Sequence, residues 1–156
     1  MSRFLRRHDT RSGSRGQSLV EFSLVLIPFL LILMGIIDLG RGIYTYNGVA
    51  QAARELARAT SVHTCDTTKP SCTLGTSPET AAVRGTQNTM VPGLAGGTAS
   101  VTYTCTSITD ATLSSVNCLS GSFVKVTVTV PFQVITPVLS MVAPSTLSST
   151  THVEVP

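Results

Sequence analysis

The sequence predicts an α+β chain. One long N-terminal helix, apolar in its first half and amphipathic in its second, precedes a short second helix and a small three-stranded antiparallel sheet stapled by disulfides. Three observations predict this. A charge-free run, FSLVLIPFLLILMGII at 22–37, passes without a break into apolar residues spaced by three and four as far as Thr60. Three later segments alternate apolar and polar residues with period two. All four cysteines lie beyond residue 60.

Composition narrows the class. The chain has 156 residues, 42% hydrophobic and 12% charged, about half the charge fraction of an average soluble domain. Its mean hydropathy is +0.31, it has no Trp, and Ser and Thr together number 41. A disordered charged tail would be richer in charge and poorer in apolar residues. The balance also speaks against an ordinary cytosolic enzyme. It fits an exported protein with a membrane segment.

The net charge of +3 divides unevenly. Residues 1–16 hold Arg3, Arg6, Arg7, Arg11 and Arg15 against Asp9, a balance of +4, and the remainder of the chain carries −1. A basic arm beside an apolar run stays cytoplasmic during membrane insertion. The arm therefore reads as a topogenic signal, and no nucleic-acid partner is expected.

The run from Phe22 to Ile37 is about 24 Å long as a helix, and extension back through Leu19 brings it to the thickness of a hydrocarbon core. That extension encloses Glu21, whose carboxylate is costly in lipid unless paired. Pro28 removes one helical hydrogen bond and predicts a kink. Gly35 and Gly42, seven apart, share one face where a neighbouring helix can approach, a feature equally ordinary in membrane helices. A cleaved secretory signal would need a small-residue cleavage site just after the apolar run. Asp38-Leu39-Gly40-Arg41 stands there instead. Tyr46, Val49, Ala50, Ala53, Leu56, Ala57 and Thr60 continue the helical pattern, with Asn47, Gln51, Arg54 and Arg58 opposite. One helix from near Gln17 to near Thr60, about 65 Å long, is expected.

The junction Arg15-Gly16-Gln17-Ser18-Leu19-Val20-Glu21-Phe22 resembles the processing site of type IV prepilins. There a basic leader ends in Gly, and Glu stands fifth in the mature chain. Within that superfamily the sequence is similar to the TadE-like proteins of tight-adherence pili. The similar stretches are the VEF junction, Gly35-Ile36-Ile37-Asp38-Leu39-Gly40-Arg41 (one residue longer in its gap than the family pattern) and Ala52-Ala53-Arg54-Glu55-Leu56-Ala57-Arg58. It is dense over residues 15–60 and weaker at 124–137.

The resemblance implies three parts: a leader at 1–16, removed by cleavage between Gly16 and Gln17; a long helix at 17–60, with its membrane segment at about 19–40; and an exported head at 61–156. It implies that Glu21 meets the N-terminal amine of a neighbouring subunit, a charge-assisted contact that offsets its desolvation. The implied partners are the inner membrane, a prepilin peptidase, the pilus assembly machinery and other pilin subunits, in a homo- or hetero-oligomeric filament. The expected location is single-pass in the cytoplasmic membrane with the head exported, and after processing in an extracellular pilus. A minor pseudopilin is the first expectation and the main filament subunit the second. A permanently anchored surface adhesin or binding domain is the alternative from another class.

Beyond residue 58 the chain is rich in Ser and Thr, 34 of 98 residues. Ser77-Pro78-Glu79 opens a helix expected to reach about Met90, with an N-cap, a first-turn proline and a first-turn acid. Strands are expected around Val101–Thr106, over Val124–Val130, and from Thr151 to Val155, with Pro131 and Pro137 bounding a turn. The core of such a sheet is thin and benefits from covalent help. Four cysteines allow three pairings. Cys65–Cys72 and Cys105–Cys118 are favoured because each pair is close in sequence and flanks a polar loop. The spacings C-x6-C and C-x12-C suit zinc poorly, so neither a metal nor another cofactor is expected.

Signs of catalysis are sparse. His8, His63 and His152 lie in three regions, the acids are scattered, and no H-E-x-x-H, P-loop or G-x-S-x-G pattern occurs. A structural subunit rather than an enzyme is the expectation. A membrane-anchored serine hydrolase is the catalytic alternative.

Overall fold

The computed structural model describes residues 14–63, 73–114, 118–136, 139–141 and 144–156. Helix α1 (Ser14–Val62) is 49 residues long and continues through Pro28. From Leu19 to Leu33 almost every side chain is exposed, Leu24 by 69%. The second half behaves differently. Val49, Ala52, Ala53, Leu56, Ala57 and Thr60 are buried, while Asn47, Gln51, Arg54 and Arg58 face solvent. Three alanines on the buried stripe let the sheet come close to the helix axis. Tyr46, expected on this stripe, is exposed at its margin.

Helix α2 (Pro78–Gln87) starts as its sequence predicts. Ser77 Oγ accepts from the Thr80 N–H at 3.1 Å, with Pro78 and Glu79 in the first turn. It ends earlier than Met90 because the Asn88 side-chain oxygen accepts from the Gly93 and Ala95 N–H groups at 3.0 and 3.2 Å, folding the chain into turns. Val83 packs against the core, and two polar contacts also hold α2 in place. The Thr80 hydroxyl lies 3.5 Å from that of Thr60. The Arg84 guanidinium stacks on Tyr103 at 5.6 Å and donates to its hydroxyl at 2.8 Å. Gly75, at φ +81°, lies so close to the Tyr103 ring that a Cβ would clash with it.

The sheet has four strands, not three. They are β1 (Ser100–Thr106), β2 (Thr112–Ser114), β3 (Phe123–Pro131) and β4 (Thr146–Glu154), all antiparallel in the order β2-β1-β3-β4. The unexpected β2 has only three residues, too few for alternation to register. It pairs with β1 through a turn in which the Ser107 N–H donates to the Ala111 carbonyl at 2.9 Å. The last strand begins five residues before the expected Thr151 and ends at Glu154, leaving Val155 buried just beyond it. Its first half lacks an apolar alternation because hydroxyls occupy inward positions. Ser149 stands opposite Val128, and Thr151 opposite Val126.

The core lies between this sheet and the second half of α1. Val124, Val126, Val128 and Val130 of β3 are all buried. Val101, Tyr103 and Cys105 of β1 pair with Val128, Val126 and Val124 on the same face. Cys105 is bonded to Cys118, with Cα atoms 5.4 Å apart. The Cys65–Cys72 pairing lies outside the described residues, as do Pro137 and residues 1–13 of the expected leader. β3 runs so that Pro131 emerges beside the middle of α1, where the connection to β4 meets the end of the apolar run.

Candidate functional site: the apolar helix and its junction with the head

Two regions of α1 carry the candidate function, and the sequence pointed to only one of them. The first is the N-terminal stretch. Gly16, Gln17 and Glu21 fall on continuous helix, exposed, and a Cβ built on Gly16 meets nothing within 4 Å. The helix from Gly16 to Val62 is long and apolar enough to cross a membrane, and its most apolar window is not buried by the rest of the fold. Among the described residues, none covers this stretch.

The second region is the junction at Asp38, which ends the charge-free run. Its side chain is buried and receives four hydrogen bonds from the loop after β3. The Ile135 N–H lies 3.1 Å from both Oδ1 and Oδ2, the Thr136 N–H donates to Oδ2 at 2.8 Å, and the Thr136 hydroxyl donates to Oδ2 at 2.7 Å. Arg41, one turn on, adds a longer contact from Nη1 to Oδ1 at 3.4 Å and lies over the Phe132 ring at 5.8 Å. An ionised carboxylate accepts several hydrogen bonds and donates none, so it is the side chain to collect two adjacent backbone amides and a hydroxyl. The loop amides have no strand partner there, and leaving them unpaired at a buried site would be costly. Asp38 thus ties the head to the helix across 98 positions of sequence.

Beside this anchor an apolar groove of about 350 Å³ opens between α1 and the loop. Gly35 and Gly42 line its helix side, and Phe132 and Val134 its head side. A Cβ on Gly42 would lie 3.5 Å from Phe132. The helix face that carries Gly42 is therefore covered in part by the chain's own head, at ordinary van der Waals distance. A smaller cavity of about 130 Å³ is shared by Met34, Ile37, Asp38 and Ile135, which puts Ile135 level with the last turn of the apolar run.

Glu21 is exposed and meets no head residue among the described residues, and Gly16, Gln17 and Pro28 lie on the same exposed segment. In the sequence, Asp38 stands out only as part of a motif. Its usable signal is a lone acid ending an apolar run, followed by Gly and Arg. Among the described residues, no three His, Cys, Asp or Glu side chains gather to hold a metal ion.

Residues 16–58 match the model of the TadE-like protein family, just over a quarter of the chain. The match begins at Gly16 and ends within the buried stripe of α1. No curated protein and no solved structure matches the chain.

Proposed function

We propose that this chain is a pilin-like structural subunit of a Tad-type pilus, in the first place a minor pseudopilin that takes part in pilus assembly. The observation that carries this reading is the TadE-like match over residues 16–58, which lies on a helix whose apolar half stands clear of the head. The chain acts as a substrate of a prepilin peptidase rather than as an enzyme. Before processing it is anchored in the cytoplasmic membrane with its head exported.

Physical chemistry gives each residue its task. Glycine at position 16 lets the scissile backbone enter a peptidase site extended and close to catalytic groups. Cleavage there sheds five arginines that pin the helix to the cytoplasmic face, and creates a free amine at Gln17. In an assembly of such helices, Glu21 meets the amine of a neighbour, so both charges leave water as a pair. The apolar side chains from Leu19 to Leu33, exposed in the single chain, become the packing surface between subunits. Residues beyond position 60 form the part presented outside.

N-terminal sequencing of the mature protein tests the processing. The sequence should begin QSLVEF, and Gly16→Val should leave a longer, leader-bearing form. A mature protein beginning near residue 50 would refute the prepilin reading. Electron microscopy of sheared filaments, with mass spectrometry of their subunits, tests the role: trace amounts fit a minor subunit, and a filament made mainly of this chain makes it the major one.

A further inference from the structure

The apolar surface of α1 does not end where the head begins. Leu19 to Ile37 covers about 28 Å as helix, close to one hydrocarbon core, so Asp38 falls at its outer boundary. Ile135 shares a cavity with Met34 and Ile37, both on the apolar side of that boundary. Its side chain is nevertheless 59% exposed, although it belongs to a loop of an otherwise hydroxyl-rich head. A loop at that depth has a specific difficulty: its backbone amides have no water to bond with. Here the Ile135 and Thr136 N–H groups are both taken up by Asp38, which removes the difficulty for this turn of backbone.

From this we propose that the turn at Ile135 and Thr136, after β3, rests in the outer leaflet, with Ile135 inserted among the lipid chains beside α1. The occupant of the apolar surface around Ile135 is lipid. The argument is continuity: the loop is fixed by Asp38 to the last turn of the spanning segment, and its exposed isoleucine extends the same apolar surface. Ile108 serves as a contrast. It is 87% exposed but sits in the turn after β1, at the opposite end of the sheet from Pro131, far from the boundary. The inference rests on the membrane-anchored reading above.

The chain has no Trp, so one introduced Trp is a unique reporter of its surroundings. Ile135→Trp, Ile108→Trp and Phe29→Trp are placed separately in full-length chain, in phosphatidylcholine–phosphatidylglycerol vesicles. The phosphatidylcholine is brominated either near its ester carbonyls or near the bilayer centre. Ile135→Trp should be quenched at least twofold by the shallow bromines and shielded from aqueous iodide. Ile108→Trp should show the reverse, and Phe29→Trp should respond to the deep bromines. Quenching of Ile135→Trp by iodide, as for Ile108→Trp, would overturn the proposal, and so would shielding from both quenchers, which would mean a protein contact instead. A responsive Phe29→Trp would confine either failure to this inference. A Phe29→Trp silent to lipid bromines would refute the anchored reading and this inference with it. Should the Trp variant not fold, cross-relaxation of the Ile135 methyls with lipid acyl protons is measured on unmutated chain in nanodiscs: its presence supports the insertion and its absence overturns it.

Discussion

Asp38 and Thr136 are joined twice: the Thr136 N–H donates to Oδ2 at 2.8 Å and its hydroxyl donates to the same oxygen at 2.7 Å. The two residues belong to different layers of the fold. One ends the apolar run of α1, and the other lies on the loop that leaves the central strand. The contact adds a polar fastening between loop and helix, N-terminal to the apolar packing that begins at Val49.

Asp38→Asn should loosen this joint without unfolding the head. The amide keeps one acceptor oxygen, which can stand where Oδ2 does, but it turns an N–H₂ group toward the Ile135 N–H and Arg41 in place of Oδ1 and removes the charge that strengthens the remaining bonds. Hydrogen exchange at Ile135 and Thr136 should accelerate by roughly tenfold or more, while Val124 to Val130 in β3 stay protected. Unchanged exchange at Thr136 would mean that the loop is held by other contacts.

The two halves of α1 should answer differently to truncation. Leu56 is fully buried against the sheet and Leu24 is largely exposed. Leu56→Ala should cost the head about 2–5 kcal/mol, read as a lowered melting temperature in detergent. Leu24→Ala should leave that melting temperature unchanged. Equal losses would show that the apolar half is part of the head's folding unit.

The bond between Cys105 and Cys118 spans a sequence separation of 13 residues. In the chain-entropy account a loop of this size stabilises by about 3 kcal/mol. It encloses the turn and the short strand β2, which has little other support. Replacing both cysteines by serine should lower the melting temperature of the head. It should also expose the amides of β2 before those of β3. Thermal melting and hydrogen exchange check the two parts separately.

What the sequence made legible follows from how each feature is encoded. The β3 strand was readable because Val124, Val126, Val128 and Val130 alternate strictly with polar residues, and one face of a half-buried strand demands that pattern. The long helix was readable because its apolar run leads directly into alanines and leucine spaced by three and four. The first half of β4 was not, since Ser149 fills an inward position at the sheet edge, where partial burial tolerates a hydroxyl. β2 was not, since three residues hold no period. The Cys105–Cys118 pair was legible from proximity in sequence. The Asp38 joint was hidden for a different reason: two of its three partner groups are backbone amides, which leave no signature in residue types, and the loop that carries them is 97 and 98 positions away.

The last prediction concerns Glu21. It lies on the exposed apolar stretch of α1, with Leu19 and Phe22 beside it also exposed, so the fold itself supplies no reason for a carboxylate there. A carboxylate in lipid is costly while unpaired, and the cost falls when a neighbour's amine arrives. Glu21 should therefore matter for assembly and not for folding. More than four helical turns separate it from Asp38, where the head is hydrogen-bonded to the helix, so the head does not sense the substitution. Glu21→Ala removes both the penalty and the pairing, and the processed monomer should accumulate in the membrane at normal or higher level. Pilus number should fall sharply. Normal piliation in a Glu21→Ala strain, with cleavage after Gly16 verified, would leave the carboxylate without a part in assembly. Disappearance of the protein itself would make Glu21 a folding residue, contrary to its exposed position on the free half of the helix.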